Sequence, residues 1–251
     1  MECKKPDESQ LNAAYINVDP LKPKYREKII ESPERREAIQ QKNIALLCVD
    51  LQYLDAARGH GVFANHLNGV PDEAHEYYFH SLETIVLPHV RKLQDCFRSH
   101  SLEIIHIRIQ SLTADGRDRS AGHRRLGLHA APGSKEAEFL EQVAPAGDEI
   151  IINKTSSGVF ASTNIYYVLK NLNIDSLFVT GVYTDECVST TIRDASDYGF
   201  LVSLGSDACT TVTKERHEFT LATLKDRYTR IISTAEAVSE IDRIVTSASE
   251  L

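Results

Sequence analysis

Short, continuous apolar runs alternate along the chain with segments whose apolar residues recur at helical spacing. The apolar runs lie at residues 44–49, 103–109, 149–153, 177–182, 200–204 and 230–232. Runs of this length and composition are typical of strands buried on both faces of a parallel sheet. The amphipathic spacing between them, as at residues 80–99, predicts covering helices. Strand and helix alternate six times, so we predict a mainly parallel sheet with helices on both faces.

The first 42 residues form a polar stretch that differs from the rest of the chain. A helical pattern at residues 25–41 contains Pro33, which would kink or divide the helix. We therefore predict an N-terminal arm over residues 1–42, outside the core, and a single domain over residues 43–251. Such an arm can lie on a neighbouring subunit or remain a frayed tail.

Charge and cysteine content exclude several classes of function. The net charge of −8 and the pI near 5.7 argue against nucleic acid as a partner, because a basic stripe is missing. Five scattered cysteines without a CxxC pair suggest neither a disulfide framework nor a zinc site. The chain start has no signal-peptide pattern, and no apolar run is long enough to span a bilayer. We expect a cytoplasmic protein without membrane partners.

The segment at residues 177–199 predicts a strand, a polar turn and a helix, with Cys187 in the first helical turn. The free N–H groups and the macrodipole at a helix N-terminus favour a thiolate over a thiol. A thiolate is a nucleophile, so this position suits covalent catalysis. The alternative is that Cys187 simply fills the core, as free cysteines often do.

Asp50 and Lys154 follow two other predicted strands at the carboxyl edge of the sheet, where ligands bind in open α/β folds. A carboxylate there could take the proton of Cys187, and an ammonium could stabilise both anions. A structural ion pair between Asp50 and Lys154 is the alternative interpretation. A Cys-His protease does not fit, because no histidine lies at a comparable strand end.

Two long irregular segments separate these strand ends. Residues 51–80 are predicted to form a loop or lid, and their four histidines match no common metal-ligand spacing. Residues 111–147 form a charged loop with a short predicted helix near residues 135–143, and its length indicates a functional role. His106, within the second strand, is predicted to be a hydrogen-bonded core histidine.

Three segments resemble the signature segments of the isochorismatase-like cysteine hydrolases. They are VDLQ at residues 49–52, NKTSSGVFAST at residues 153–163 and GVYTDECVSTTIRDASDYGF at residues 181–200. The resemblance runs from about residue 44 to residue 238. It implies a three-layer α/β/α, Rossmann-like fold with six parallel strands in order 3-2-1-4-5-6. It also implies that Asp50, Lys154 and Cys187 are a catalytic triad.

The same resemblance implies a cis peptide bond between Val182 and Tyr183. That bond would direct the backbone N–H groups of Tyr183 and Cys187 at the oxyanion. The family includes nicotinamidases, which hold a metal with an Asp and histidines near the end of the second strand. This chain has RIQS at residues 108–111 instead, so we expect no metal and no other cofactor. The family also assembles as oligomers, so we expect a homo-oligomer, either a dimer or a tetramer.

Several polar and aromatic residues are expected to contact the substrate. Loop residues 111–134 resemble the branch that acts on ureides and carbamoyl compounds, such as the biuret and triuret hydrolases, N-carbamoylsarcosine amidase and ureidoacrylate amidohydrolase. The expected substrate-binding residues are Gln52, Arg108, Gln110, Arg117, Phe160 and Tyr183. Arginine presents a bidentate fork to carboxylate and carbonyl oxygens. The alternative for Arg117 is a solvated side chain or a subunit contact.

These observations predict a cysteine-dependent amidohydrolase. It would cleave a C–N bond of a small linear amide, ureide or carbamoyl compound through a thioester and release ammonia or an amine. Three alternatives stay open at this point: a nicotinamidase or maleamate-type amidase, an isochorismate-cleaving hydrolase, and a non-enzymatic thiol sensor. The cysteine argues against the isochorismate-cleaving branch, some members of which lack it.

Overall fold

Six parallel strands form one sheet at the centre of the molecule. The computed structural model describes residues 32–64 and 69–249; most of the predicted arm, residues 1–31, lies outside the described residues. The sheet order is β3-β2-β1-β4-β5-β6, and every neighbouring pair is parallel. This confirms the predicted three-layer fold. The strands are β1 (Ile44–Val49), β2 (Glu103–Ile109), β3 (Ile150–Lys154), β4 (Ser176–Val182), β5 (Leu201–Thr210) and β6 (Arg230–Ile232).

Burial along the strands explains why the apolar runs identify them. Every residue of the central strands β1 and β4 is buried, as expected for strands covered by helices on both faces. The edge strand β3 is partly exposed, with Ile151 45% exposed. Strand β5 continues well past the apolar run at residues 200–204 and includes the half-buried polar residues Ser206 and Asp207.

The helices cover both faces of the sheet and create two buried apolar clusters. One cluster lies under α1, α3, α4 and α10, and the other under α6 to α9. The helices are α1 (Pro33–Gln40), α2 (Tyr53–Ala56), α3 (Asp72–Ser81), α4 (Leu87–Ser99), α5 (Ala121–Leu126), α6 (Val159–Ser162), α7 (Ile165–Asn171), α8 (Ser189–Asp197), α9 (Lys214–Leu224) and α10 (Thr234–Ser249). A π-helical turn, Leu82–Val86, joins α3 to α4. Within residues 32–64 and 69–249, no helix combines the length and apolar character needed to cross a bilayer.

Two predicted elements differ in the structure. The helix predicted from residue 80 begins at Asp72, eight residues earlier, because polar residues hide the helical period there. The helix predicted near residues 135–143 is instead two short 3₁₀ turns, Lys135–Ala137 and Glu141–Val143. Between these turns the backbone hydrogen-bonds to the segment after β1, where Leu140 N–H donates to the Leu51 carbonyl at 3.0 Å. Pairing with this distant segment excludes a continuous helix.

The end of the predicted N-terminal arm belongs to the core. Helix α1 begins at Pro33, where proline is favoured because the first helical N–H has no intrahelical partner. Ala38 and Ile39 are buried in the apolar cluster shared with α10, and Arg35 donates to the hydroxyl of Ser203 at 3.0 Å. The prediction that residues up to 42 lie outside the core is therefore wrong for α1, because an apolar pair in a short polar helix gave little signal.

An ion-pair network ties β2 to the start of β3. The Arg98 guanidinium donates to Glu149 at 2.7 and 3.0 Å, and the buried His106 Nε2 lies 2.8 Å from Glu149 Oε2. This confirms that His106 is a hydrogen-bonded core histidine. Burial would raise the pKa of Glu149, but hydrogen bonds from Arg98, the Ala146 N–H and His106 outweigh burial and lower that pKa to about 2.

Glu149→Gln should make the free energy of unfolding less dependent on pH in the acid range. The folded pKa of Glu149 lies below its ordinary value of 4.5, so its contribution is complete above that value and is lost as the pH falls towards 2. At pH 7 the variant should lose about 1 kcal/mol of unfolding free energy, allowing for screening by solvent. Urea denaturation at pH 7 and pH 3 should show the difference shrinking at pH 3. The exposed Glu138 is the control; equal effects of Glu149→Gln and Glu138→Gln would contradict the prediction.

Gly181 permits a close contact between β4 and β1. Its φ is +115°, and a Cβ atom at this position would lie 2.0 Å from the carbonyl oxygen of Val49, its register partner. Only glycine fits such an approach without displacing backbone. The residues that follow this contact are Asp50, directly after β1, and Val182 on β4, so Gly181 sets how closely the two strand ends approach.

Gly181→Ala should therefore lower the free energy of unfolding by more than about 2 kcal/mol, since the new methyl group meets rigid backbone. Gly127→Ala is the matched control, because φ there is +70° but nothing lies within 4 Å of an added Cβ. Gly127→Ala should lower the free energy of unfolding by about 1 kcal/mol, which is the cost of the left-handed backbone conformation alone. Urea denaturation of both variants measures the difference, and equal losses would show that contact with Val49 is not the cause.

Candidate active site

Three ionisable side chains meet at the carboxyl edge of the sheet. Lys154 Nζ lies 2.9 Å from Asp50 Oδ2 and 3.3 Å from Cys187 Sγ. Lys154 is the last residue of β3, Asp50 directly follows β1, and Cys187 lies in the turn after β4. All three are buried, with 0%, 1% and 5% of their surfaces exposed. The structure therefore brings together the residues that the strand ends predicted.

Local backbone geometry holds each of these side chains in place. Asp50 has a φ of +54°, a left-handed conformation that aspartate tolerates better than most residues, and its N–H donates to the Ile107 carbonyl at 2.9 Å. Cys187 lies in a π-helical turn, Thr184–Val188, that leads into α8. The peptide bond between Val182 and Tyr183, just before this turn, is cis.

Burial decides the protonation of the cluster. Burial raises the pKa of the Cys187 thiol well above its usual range, and the Lys154 ammonium offsets only part of the rise. Burial also raises the pKa of the Asp50 carboxyl, against the opposing effect of Lys154. Burial alone would lower the pKa of Lys154, but the charges of Asp50 and Cys187 outweigh it and raise that pKa.

One buried ammonium can compensate only one buried anion. The raised pKa of Lys154 favours its charged form, and a single positive charge favours one anion between Asp50 and Cys187 rather than two. The helix N-terminus is predicted to favour a thiolate at Cys187, and burial acts against it by raising the pKa of the thiol. The arrangement can instead move one proton from sulfur to Asp50 without changing the net charge of the cluster.

A second buried carboxyl, Asp55, lies in α2 beside this cluster, and sequence reasoning missed it. It is 2% exposed, and its backbone carbonyl accepts hydrogen bonds from the hydroxyls of Tyr78 at 2.6 Å and Tyr183 at 3.1 Å. Burial, followed by the charge of Asp50, raises the pKa of the Asp55 carboxyl well above its usual range. The available signal was weak: an aspartate five residues after Asp50 in a largely apolar stretch.

His123, on α5 in the charged loop, is also buried near the cluster. It is 2% exposed, and burial, Lys154 and Arg119 together lower the pKa of His123 to about 4. The imidazole is therefore neutral at pH 7. Its Nδ1 has no hydrogen-bond partner among residues 32–64 and 69–249. A single histidine in an irregular loop carried no pattern from which its position could be predicted.

Gln52 is fully buried, and the protein uses all of its side-chain polar groups. Its Nε2 donates to the carbonyls of Ile109 at 2.9 Å and Glu136 at 2.8 Å, and its Oε1 accepts from the Ile109 N–H at 2.6 Å. Gln52 thus joins the segment after β1 to the end of β2 and to the long loop. Its assignment to substrate binding stays a prediction.

The two arginines predicted to bind substrate also have protein partners. Arg108 donates to the Asn153 side chain and to the Ala137 carbonyl, both at 2.8 Å. Arg117 has a side chain that is 73% exposed and pairs with Asp115 at 3.1 Å, which matches the solvated alternative considered for it. These contacts favour structural roles, and binding of substrate by either arginine stays a prediction.

The remaining predicted contacts are Gln110, Phe160 and Tyr183. Gln110 is half-buried, and its N–H donates to the carbonyl of Lys154 at 3.1 Å. Phe160 stacks on Tyr198 with ring centroids 5.3 Å apart and shares a buried apolar cluster with Cys187. Tyr183 is half-buried next to the cis bond. These positions are compatible with a role in substrate binding, which stays a prediction for all three.

Within the described part of the chain, one set of potential metal ligands has its atoms within 4.8 Å of one another: Cys96, His100 and Asp242. Cys96 and His100 lie at the end of α4, which leads into β2, so this set is at the amino edge of the sheet, opposite the Lys154 cluster. His100 Nε2 pairs with Asp242 at 2.7 Å, and the Asp242 side chain is 54% exposed. The contacts describe a surface ion pair.

Lys154→Met should lower the free energy of unfolding by about 3–5 kcal/mol, because it leaves Asp50 buried without its counter-charge. Asp50→Asn removes the stranded charge, so the double variant should regain at least about 1 kcal/mol relative to Lys154→Met. Urea denaturation of the wild type, the two single variants and the double variant gives the coupling. Strictly additive effects would show that the 2.9 Å contact does not couple the two residues.

Comparison with known proteins identifies the family. A model of the isochorismatase domain matches residues 45–236. The uncharacterized isochorismatase family protein YrdC of Bacillus subtilis (strain 168) is 33% identical over 120 residues, 43% of this chain and 64% of that protein. N-carbamoylsarcosine amidase of Arthrobacter sp is 28% identical over 141 residues, 53% of this chain and 52% of that protein. The matched stretches thus span less than two thirds of either relative.

The fold is shared with a solved structure, that of a cysteine hydrolase from Pseudomonas syringae pv. phaseolicola 1448A. The two superpose with a TM-score of 0.67 and 22% sequence identity, over 81% of this chain and 94% of that one. At this identity the likeness shows the fold alone. The domain match covers most of the chain and includes Asp50, Lys154 and Cys187, and it shows that this protein belongs to the isochorismatase family.

Proposed function

We propose that this protein is a cysteine-dependent amidase that cleaves a C–N bond of a small linear amide, ureide or carbamoyl compound. The observation that carries the proposal is the buried contact of one ammonium, Lys154, with both a thiol and a carboxyl. Acyl transfer from nitrogen needs a nucleophile, a group that moves protons and a positive charge that stabilises both anions. The three residues supply these functions within one cluster.

In the proposed reaction Cys187 attacks the substrate carbonyl while its proton passes to Asp50. The ammonium of Lys154 stays within reach of both groups, so the transfer exchanges one neighbouring anion for another. The backbone N–H groups of Tyr183 and Cys187 are proposed to stabilise the oxyanion, which is usually the largest contribution in such sites. Collapse of the tetrahedral intermediate breaks the C–N bond as Asp50 returns the proton to the leaving nitrogen.

Water then completes the cycle. Asp50 is again ionised. It accepts a proton from a water molecule while that water attacks the thioester, and the same proton passes to the sulfur as the acid product leaves. The raised pKa of the Asp50 carboxyl, caused by burial, brings it closer to neutral pH and makes it a stronger base than an exposed aspartate. Lys154 keeps its charge throughout and needs no proton transfer of its own.

The substrate class is supported by the similarity to N-carbamoylsarcosine amidase. The matched stretch covers about half the length of that relative. A thiol sensor fits less well. Redox-sensing cysteines are exposed and have a low pKa, whereas Cys187 is 5% exposed and burial raises its pKa. A hydrolytic nucleophile, in contrast, gains from a closed environment in which electrostatic interactions are strong.

Ammonia release from biuret, triuret, N-carbamoylsarcosine, ureidoacrylate, maleamate and nicotinamide tests the proposal. We expect turnover of at least one ureide or carbamoyl compound, and a loss of at least about a thousandfold in kcat for Cys187→Ala and Asp50→Asn. Cys96→Ala is the matched control, because Cys96 is a buried cysteine at the opposite edge of the sheet. It should keep wild-type activity.

The other outcomes separate the alternatives. If the enzyme prefers nicotinamide or maleamate, the proposed substrate class changes from ureides to another class of amides. Release of pyruvate from isochorismate, with no ammonia from any amide, would overturn the amidase proposal. Retention of amide hydrolysis in Cys187→Ala would remove the cysteine from the mechanism.

A further inference from the structure

One buried carboxyl near the reacting groups has no role in the mechanism above. The Asp55 side chain is buried, and its Oδ2 has no hydrogen-bond partner among residues 32–64 and 69–249. An unpaired buried polar atom costs about 1–3 kcal/mol, so folded proteins rarely keep one without a reason. A group that binds substrate is one such reason, because its partner arrives with the ligand.

The surroundings of Asp55 place its carboxyl at the proposed catalytic cluster. Its charge acts on those of Asp50, Lys154 and Cys187. The backbone of Asp55 is held by the two tyrosine hydroxyls that donate to its carbonyl. One of these belongs to Tyr183, which immediately follows the cis bond of the cysteine turn. The Asp55 backbone is therefore tied by a hydrogen bond to the residue at the start of the turn that carries the thiol.

The electrostatics determine which chemical group the carboxyl can receive. Lys154 already faces Asp50 and Cys187, so a further buried anion would have no counter-charge. Burial and the charge of Asp50 raise the pKa of the Asp55 carboxyl, which favours its neutral form. A neutral carboxyl offers one O–H donor and one carbonyl acceptor. Either role allows one hydrogen bond to an uncharged amide, with the O–H donating to the amide C=O or the carboxyl C=O accepting from the amide N–H, whereas a substrate carboxylate would add an uncompensated negative charge.

We propose that Asp55 is a substrate-binding residue that pairs through Oδ2 with a second, uncharged amide or carbamoyl group of the substrate. The inference rests on the proposed amidase function and makes it more specific. The protein then selects linear compounds with two neutral amide groups, one of which is attacked by Cys187 while Asp55 holds the other. It discriminates against compounds that carry a carboxylate at the second position.

Three amides of nearly the same shape test this selection. Malonamide carries a second amide, malonamate a carboxylate, and 3-methylbutanamide an isopropyl group in the same position. We expect wild-type kcat/KM to be highest for malonamide, by about tenfold over 3-methylbutanamide, the effect of one buried hydrogen bond. Asp55→Leu, which has a similar shape and no polar group, should lower kcat/KM for malonamide by about tenfold through KM. It should leave 3-methylbutanamide unchanged.

Two further variants control for structural effects. Asp55→Asn keeps one donor and one acceptor, so it should retain the preference for malonamide within about threefold. Asp226→Asn changes another buried aspartate whose Oδ1 lacks a partner within the described part of the chain. Asp226 precedes β6 and so lies at the amino edge of the sheet. Its substitution should leave all three substrates unchanged.

Binding of malonamide to Cys187→Ala, measured by calorimetry, separates this inference from catalysis. Adding Asp55→Leu should raise Kd by about tenfold. If the wild type releases no ammonia from any amide but this shift occurs, the amidase proposal fails and the role of Asp55 stands. If amides are hydrolysed but Asp55→Leu reduces all three substrates equally, Asp55 is only structural and the inference is wrong. Absence of malonamide binding, or a wild-type preference for malonamate, also overturns it.

Discussion

The site depends on the contacts of the Lys154 ammonium with the Asp50 carboxyl and the Cys187 thiol. The ammonium lies fully buried between Asp50 and Cys187, at 2.9 and 3.3 Å. An isolated buried charge is too costly to persist, so each member of the cluster exists in its present form because of the others. The single positive charge also limits the cluster to one anion at a time. Proton exchange between sulfur and Asp50 satisfies this limit, and full ionisation of both does not.

The sheet supplies the geometry that this cluster needs. Because all six strands are parallel, their carboxyl ends meet at one edge, and β1, β3 and β4 each deliver one residue there. The close approach at Gly181 and the three hydrogen bonds of Gln52 then hold these strand ends and the adjacent loop together. Residues that look available for a substrate are thus partly committed to the scaffold.

Desolvation links the proposed chemistry of the site to its proposed selectivity. The burial that raises the pKa values of Cys187 and Asp50 also raises that of Asp55, and the one ammonium cannot compensate all three groups. Neutral polar groups are therefore better ligands for this environment than additional anions. The low exposure of the cluster strengthens every electrostatic contact that remains.

Local patterns in the sequence determined the strands and the three residues of the cluster, because apolar runs and strand-end residues report burial and sheet edges directly. The order of the strands followed from the resemblance of three segments to a known family. Only the tertiary structure decided the rest. Residues 135–143 form two turns since they pair with the chain after β1, α1 joins the core through Ile39, and Asp55 and His123 lie beside Lys154. The burial that raises the pKa of the Cys187 thiol has the same physical origin. Contacts between distant segments, and the desolvation that they cause, depend on packing in three dimensions, which the local pattern of residue types does not record.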